Sequence, residues 1–339
     1  MIVYIIGKLP PPIGGVTMHT HRLGLWLSKM DGVVVIHIEP KLLSIVKFYW
    51  GLLLRRREQV VVHCQISSVW GFMVIASIIR VAFSRAKLVY SLHSEFWIPD
   101  NVTRNALFGW VARFNLANAS LIVADNNNIK NAALAYSQYV CMQSPFLPPP
   151  GELISQSLSS YLELPELDAP VIVFNAYRLV YRPDGRDVYG LDVLLDAFGK
   201  INFDATLILL IPVLSDDDLS RIASALTSMS ENLNKDRIHL VSSVDIEGWQ
   251  VIAKADVFVR PTITDGDALS VRESIYYGVP AVVSDCTLRP PGVITFKTGD
   301  ADDLAEKIKV AIRRGKENST ISTTKNPAQE FFLQYSNLF

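Results

Sequence analysis

Cysteine is scarce. The 339 residues contain three, Cys64, Cys141 and Cys286, an odd number without the paired spacing of a disulfide framework or the clustered histidines of a structural zinc site. That scarcity fits a reducing compartment. Long apolar runs are lacking too: Leu42–Leu54 is broken by Lys47 and followed by Arg55, Arg56 and Arg57, and Val69–Phe83 is broken by Arg80. Neither reaches the roughly 20 residues that span a bilayer. The opening MIVYIIGKLPPP has no basic stretch before its short apolar run and no small-residue cleavage site after it, which predicts a first strand rather than a leader. A dinucleotide fingerprint is absent, because the glycines that follow do not fall as G-x-G-x-x-G. There is no repeat of solenoid period and no low-complexity tract.

What is present is an alternation. Short apolar runs at Ile2–Ile6, Val33–Ile38, Val60–His63, Lys87–Leu92 and Ser120–Ala124 are separated by segments of helical length. The pattern resumes at Val171–Asn175, Thr206–Ile211, His239–Val241, Val257–Val259, Ala281–Ser284 and Val293–Phe296. This βαβ rhythm predicts parallel sheets covered on both faces. Between the first two runs of the second series, Leu191, Leu194, Leu195 and Phe198 recur at helical spacing. The Pro- and Ser-rich stretch Met142–Pro170 reads as a linker. Half of the residues are hydrophobic, enough to bury two cores. The expected domains are 1–165, 166–326 and a closing helical segment, 327–339.

Charge divides the same way. Residues 1–150 carry 14 Lys and Arg against 6 Asp and Glu, and the remainder 18 against 27. A basic half suits phosphorylated or anionic-lipid surfaces. On Leu42–Leu54 the cluster Phe48, Tyr49 and Trp50 beside three arginines has the composition of a helix lying among anionic headgroups; a sheet-covering helix is the competing reading.

Four segments can carry chemistry. In RPTITDGDALSVRE, Arg260 to Glu273, a buried strand ends at a proline, a polar loop follows, and a helix begins near Ala268. A loop entering a helix N-terminus offers backbone N–H groups and a positive dipole end to an anion such as a diphosphate. Asp265 in the loop and Glu273 in the second helical turn can accept hydrogen bonds from sugar and ribose hydroxyls. In IGKLPPPIGGVTMHTHRL, Gly14 and Gly15 allow close backbone approach at the start of another helix. His93 follows a strand at the end where parallel sheets place ligands. His63 ends the preceding strand and could border an acceptor site on the same geometry; His19 and His21 lie just inside the first helix. The fourth segment, Phe174 to Phe198, holds Arg178, Arg182 and Arg186 before a helix.

Together these segments resemble family four of the glycosyltransferases. Asp265 and Glu273 look like its E-x7-E pair with the first Glu replaced by Asp, and GVPAVVSD resembles the strand that follows. Gly14 and Gly15 resemble its GG-V loop. In that family the first acid contacts the donor sugar and the second the ribose, and amides between them contact sugar and phosphate. The resemblance assigns donor binding to Gly14, Gly15, Gly266, Asp267, Ala268, Leu269 and Glu273, with Asp265, His93 and Arg178 catalytic. A His at the place of His93 contacts the donor sugar. Arg178 matches an arginine that grips the diphosphate; the Lys of the family's Lys-Gly pair is Tyr189 here, followed by Gly190. Arg182 and Arg186 are the expected substitutes for that cation, ahead of Arg272 and Lys8.

The resemblance implies an α/β fold of the GT-B type, two Rossmann-like doubly wound parallel-sheet domains facing a cleft. It implies a transferase that retains anomeric configuration and needs no metal or other cofactor. Its partners would be a nucleoside-diphosphate sugar and a glycan or lipid-linked acceptor of bacterial surface polysaccharide synthesis. The expected location is cytoplasmic, peripheral at the inner face of an anionic membrane, and no nucleic-acid partner is expected. The substitution at Tyr189 keeps open a non-catalytic GT-B subunit supporting a partner enzyme, and a nucleotide-sugar epimerase on the same fold, acting without an acceptor, is a second alternative.

Overall fold

Runs of five apolar residues with no polar face suit strands buried on both sides, and β1 (Ile2–Ile6) is buried throughout its length. The structure is a computed structural model. It describes residues 1–10, 14–39, 41–54, 58–66, 86–93, 106–143, 146–228, 237–265, 268–316 and 326–339. The expected helix Val69–Phe83, the three arginines 55–57, Gly266 and Asp267 lie outside these residues. Contacts divide the chain into Met1–Pro150 with Thr323–Phe339, and Gly151–Ser322.

In the first unit β1 leads through α1 (Gly15–Ser28), β2 (Val34–Ile38) and α2 (Leu42–Leu54) to β3 (Val60–Ile66) and β4 (Lys87–Leu92). Then come α3 (Ala106–Ala117), β5 (Leu121–Ala124), α4 (Asn127–Ala133) and β6 (Val140–Met142). All six strands are parallel, in the order β2-β1-β3-β4-β5-β6. The chain therefore changes its direction of travel between β1 and β3, the switch point where such sheets place ligands. Alternation along β1 sends Ile2, Tyr4 and Ile6 to one core and Val3 and Ile5 to another. The second of these cores also takes Phe331 and Tyr335 from the closing helix Gln329–Ser336. Phe331 is fully buried, a burial worth roughly 1.5–3 kcal/mol.

Helix α2 separates its aromatics. Phe48 is buried edge-on against Tyr4, with ring centres 5.0 Å apart, so it belongs to the core and is not available as an interfacial anchor. Tyr49 is partly buried and Trp50 is exposed. No helix among the described residues is long and apolar enough to cross a membrane.

The stretch read as a linker is mostly committed structure. Arg22 Nη1 donates to Leu147 O at 3.0 Å, Trp26 Nε1 to Pro148 O at 2.8 Å and Lys29 Nζ to Pro150 O at 2.9 Å. These bonds fasten the segment to α1. From Gly151 onward the chain packs with the second unit, where α5 (Leu158–Leu162) buries Leu158 and Leu162 against that unit's core. The division thus falls at Pro150, earlier than the expected 165.

The second unit continues with β7 (Val171–Asn175), α6 (Leu191–Gly199), β8 (Thr206–Leu210), α7 (Asp216–Ser228), β9 (Ile238–Val241) and α8 (Gly248–Lys254). It ends with β10 (Val257–Arg260), α9 (Leu269–Tyr276), β11 (Ala281–Ser284), β12 (Ile294–Phe296) and α10 (Ala301–Arg314). The parallel order is β12-β11-β10-β7-β8-β9, which puts the switch point between β7 and β10. Leu191, Leu194, Leu195 and Phe198 of α6 are buried together, as their spacing predicts.

Candidate functional site

Because β7 and β10 are hydrogen-bonded neighbours, the loops leaving them emerge side by side at the switch point. The loop after β7 carries Arg178, Arg182 and Arg186 and closes at Gly190, whose φ of 72° is left-handed. A Cβ there would lie 2.1 Å from Pro261 O, so only glycine lets this loop touch the one after β10. Two bonds hold the loops together: Ile263 N donates to Val188 O at 3.0 Å and Thr262 Oγ1 to the same oxygen at 2.7 Å. Asp187 Oδ2 accepts from Leu191 N at 2.9 Å, which fixes the first turn of α6.

Asp265 lies in the second loop between two arginines that the sequence reading did not single out. Arg260 Nε and Nη2 donate to its two oxygens at 3.2 and 3.3 Å, and Arg289 Nη1 donates to Oδ2 at 2.9 Å. Arg289 also donates to Ser284 O at 2.8 Å and to Ser284 Oγ at 3.0 Å. All three charged side chains are largely sequestered, Arg260 at 14% exposed, Asp265 at 10% and Arg289 at 4%. Two guanidiniums against one carboxylate leave a net positive charge where water screens poorly. Asp265 was expected to receive sugar hydroxyls, but a carboxylate has about four lone-pair sites and three N–H groups already address it.

Glu273 is buried on α9, one helical stretch beyond Asp265, and Ala268 occupies the N-cap ahead of Leu269 without a capping side chain. Arg178 is exposed just after β7 and pairs as an isolated bridge with Val213. Arg182 and Arg186 are not joined to Asp265. They flank Asp184 in an exposed turn, with Arg186 Nη2 at 2.7 Å and Arg182 Nε at 3.9 Å from Oδ2. The hydrogen bond from Arg186 holds the Asp184 carboxyl below its usual range. The cation beside Tyr189 is instead Arg260, whose guanidinium lies 5.0 Å from the ring centre.

In the first unit Gly14 is the N-cap of α1, with an extended backbone that any residue can adopt. A Cβ at Gly14 would make only ordinary contact with Thr17 Oγ1, at 3.8 Å, and one at Gly15 would meet nothing within 4 Å. Neither packing nor conformation among the described residues calls for glycine here, so the pair leaves backbone open to an approaching group.

His93 is 5% exposed, with Nδ1 2.6 Å from Asp125 Oδ2 and Nε2 2.6 Å from Gln65 Oε1. Both nitrogens face acceptors, and while these bonds stand neither reaches a sugar hydroxyl. The chain of bonds continues from Gln65 Nε2 to His63 Nε2 at 3.3 Å, and His63 joins Ser91 Oγ at 2.7 Å and the Tyr335 hydroxyl at 2.5 Å. His63 is fully buried rather than bordering a ligand site. Burial, with the nearby His19 and His93, pushes its pKa well down and keeps it neutral. No motif marks Asp125 or Gln65; both arrive from neighbouring strand ends. Among the described residues no three His, Cys, Asp or Glu side chains are grouped to hold a metal ion.

Residues 176–314 match the family described as Glycosyl transferases group 1. The fold is similar to that of Anabaena Alr3699/HepE in complex with UDP-glucose, with a TM-score of 0.60 and 15% identity over 100% of this chain and 98% of that one. It is also similar to sucrose-phosphate synthase from Thermosynechococcus elongatus, with a TM-score of 0.60 and 17% identity over 100% and 94% of the two chains. The catalytic domain of starch synthase IV from Arabidopsis thaliana, bound to ADP and acarbose, gives a TM-score of 0.64 and 12% identity over 99% and 98%. No curated protein sequence matches the chain.

Proposed function

Taking the chain as a glycosyltransferase of the GT-B fold, with a group 1 domain over residues 176–314, we propose that it transfers a sugar from a nucleoside-diphosphate donor with retention and without a metal. The acceptor in this reading is a glycan or lipid-linked sugar of surface polysaccharide synthesis. The observation that carries the proposal is the switch point of the second sheet, where a sequestered, net positive cluster at Asp265 and the buried carboxylate of Glu273 occupy adjoining segments. Glu273 accepts from the ribose hydroxyls. Ala268 and Leu269, with Gly266 and Asp267, lend backbone amides to sugar and phosphate, and Arg178 closes on the diphosphate from the loop after β7. Asp265 acts on the sugar through the arginines it aligns. Within the first unit, taken by itself, Gly14 and Gly15 leave backbone open to a ligand group, and His93, held by Asp125, frees Nε2 for a hydroxyl by giving up its bond with Gln65.

The chemistry then asks little covalent work of the protein. The bond from the anomeric carbon to the diphosphate oxygen breaks, the acceptor oxygen bonds to that carbon on the same face, and the acceptor proton passes to the leaving diphosphate. The protein orients the reactants and stabilises charge on the leaving group. UDP-sugars and ADP-sugars are the donors to try first, since UDP-glucose and ADP occupy two of the similar structures.

A lipid-linked acceptor would lie at a membrane, and α2 offers a face for one. Leu43, Val46, Trp50 and Leu54 follow at i, i+3, i+7 and i+11, and all are exposed. That apolar stripe, next in sequence to three arginines, has the make-up of an interfacial helix.

The test is donor turnover by purified variants. Glu273→Ala loses most nucleotide affinity, because ribose hydroxyls then lack a buried acceptor at a cost of about 1–3 kcal/mol. Asp265→Ala loses turnover. Full activity in both variants would refute the placement of the site.

A further inference from the structure

We propose that Arg260 is a second residue, beside Arg178, that grips the donor diphosphate at the second sheet, with Asp265 and Arg289 as the positioning residues that aim it. The inference rests on the reading of this unit as the donor site and adds a cation that the sequence does not mark.

Arg260 ends β10, a strand at the switch point. Its guanidinium donates through Nε and Nη2 to Asp265 and through Nη1 to Asn175 O at 3.3 Å. Those bonds engage three of its five N–H groups, and the planar fork has two more to offer. Three groups hold the side chain in place. Asp265 fixes one edge, the Asn175 carbonyl at the end of β7 fixes another, and the Tyr189 ring lies 5.0 Å from its centre. A guanidinium immobilised in this way loses little further freedom on binding, and its geometry matches paired phosphate oxygens.

Arg289 explains why the carboxylate between them does not cancel the charge. It is nearly fully buried and tied to Ser284, and it presents its own N–H to Asp265 at 2.9 Å. One carboxylate shared by two guanidiniums keeps the free site from carrying two unopposed cations, yet leaves one positive charge for an anion. The substitutes expected from the sequence are poorly placed: Arg182 and Arg186 lean on Asp184 in an exposed turn. Tyr189 completes the arrangement, because its ring packs against the cation at 260 instead of supplying one at 189.

Calorimetric titration of the full chain with a nucleoside diphosphate and with the nucleoside alone separates the possibilities. Losing one charge-assisted contact to phosphate lowers diphosphate affinity by about 10- to 100-fold in Arg260→Gln, with nucleoside affinity unchanged. Arg260→Lys, which keeps the charge but not the fork, retains only part of the affinity. Adding Tyr189→Lys to Arg260→Gln returns a cation from the facing loop and recovers most of the loss, a rescue that a structural role would not give. Equal losses for diphosphate and nucleoside, or native diphosphate affinity in Arg260→Gln, would overturn the assignment. A native protein that binds nucleoside but gains nothing from the diphosphate would overturn it too. Binding of neither ligand by the native protein would instead defeat the donor reading itself.

Discussion

Gly190 and Gly185 form a matched pair for testing how the switch-point loop is built. Both sit at positive φ, 72° and 81°, but a Cβ at Gly185 would meet nothing within 4 Å while one at Gly190 would lie 2.1 Å from Pro261 O. Alanine at either position accepts left-handed strain of about 1–2 kcal/mol. At Gly190 the loop must also withdraw by about 1 Å to reach a tolerable separation, and the bonds from Thr262 and Ile263 to Val188 O stretch with it. At about 0.5–1.5 kcal/mol each, the total loss for Gly190→Ala comes to about 2–5 kcal/mol against about 1–2 for Gly185→Ala. Urea unfolding of both variants measures the difference, and nucleotide titration shows whether the displaced loop still binds. Equal destabilisation, or undiminished binding by Gly190→Ala, would refute the claim that these two loops are locked together to form the site.

Acid should weaken the first unit through His63. Its folded pKa is depressed by burial, so above the ordinary value of about 6.5 both folded and unfolded forms are neutral and the group adds no pH dependence. As pH falls below 6.5 the unfolded chain takes a proton that the buried ring refuses, and stability drops by up to about 1.4 kcal/mol per pH unit. Melting temperatures between pH 7.5 and 5 should fall more steeply in the native protein than in His63→Gln; parallel profiles would contradict this. For α2, co-sedimentation with anionic liposomes should weaken with salt and drop sharply in a Trp50→Glu, Leu54→Glu variant. Unchanged binding in that variant would remove the helix from any membrane role.

Strand positions were legible because runs such as IVYII and VIVFN are apolar on both faces, which only covered parallel strands require. β6 was missed: three residues, none of them buried, carry no such signal. The position of the domain division was obscured for another reason. Proline and serine announce a break in regular structure, but they do not reveal that Arg22, Trp26 and Lys29 will tie down the carbonyls at 147, 148 and 150. Asp265 and Glu273 stood out by spacing within one loop and helix. Arg289 and Asp125 did not, because their meetings with Asp265 and His93 depend on strand order in space, where β11 adjoins β10 and β5 adjoins β4. The same limit explains the arginines: composition showed cations before α6, and only the fold shows that Arg260 approaches Tyr189 while Arg182 and Arg186 turn to Asp184.

The proposed donor site lies in the second unit at the junction of β7 and β10, where a nucleoside-diphosphate sugar would bind. Thermal unfolding of the full chain with UDP, ADP, GDP and their sugars tests it most directly, because a ligand that binds the native state raises apparent stability with concentration. At least one diphosphate should raise the melting temperature in the native protein and fail to do so in Glu273→Ala. No shift with any of them, or an equal shift in the variant, would contradict the account.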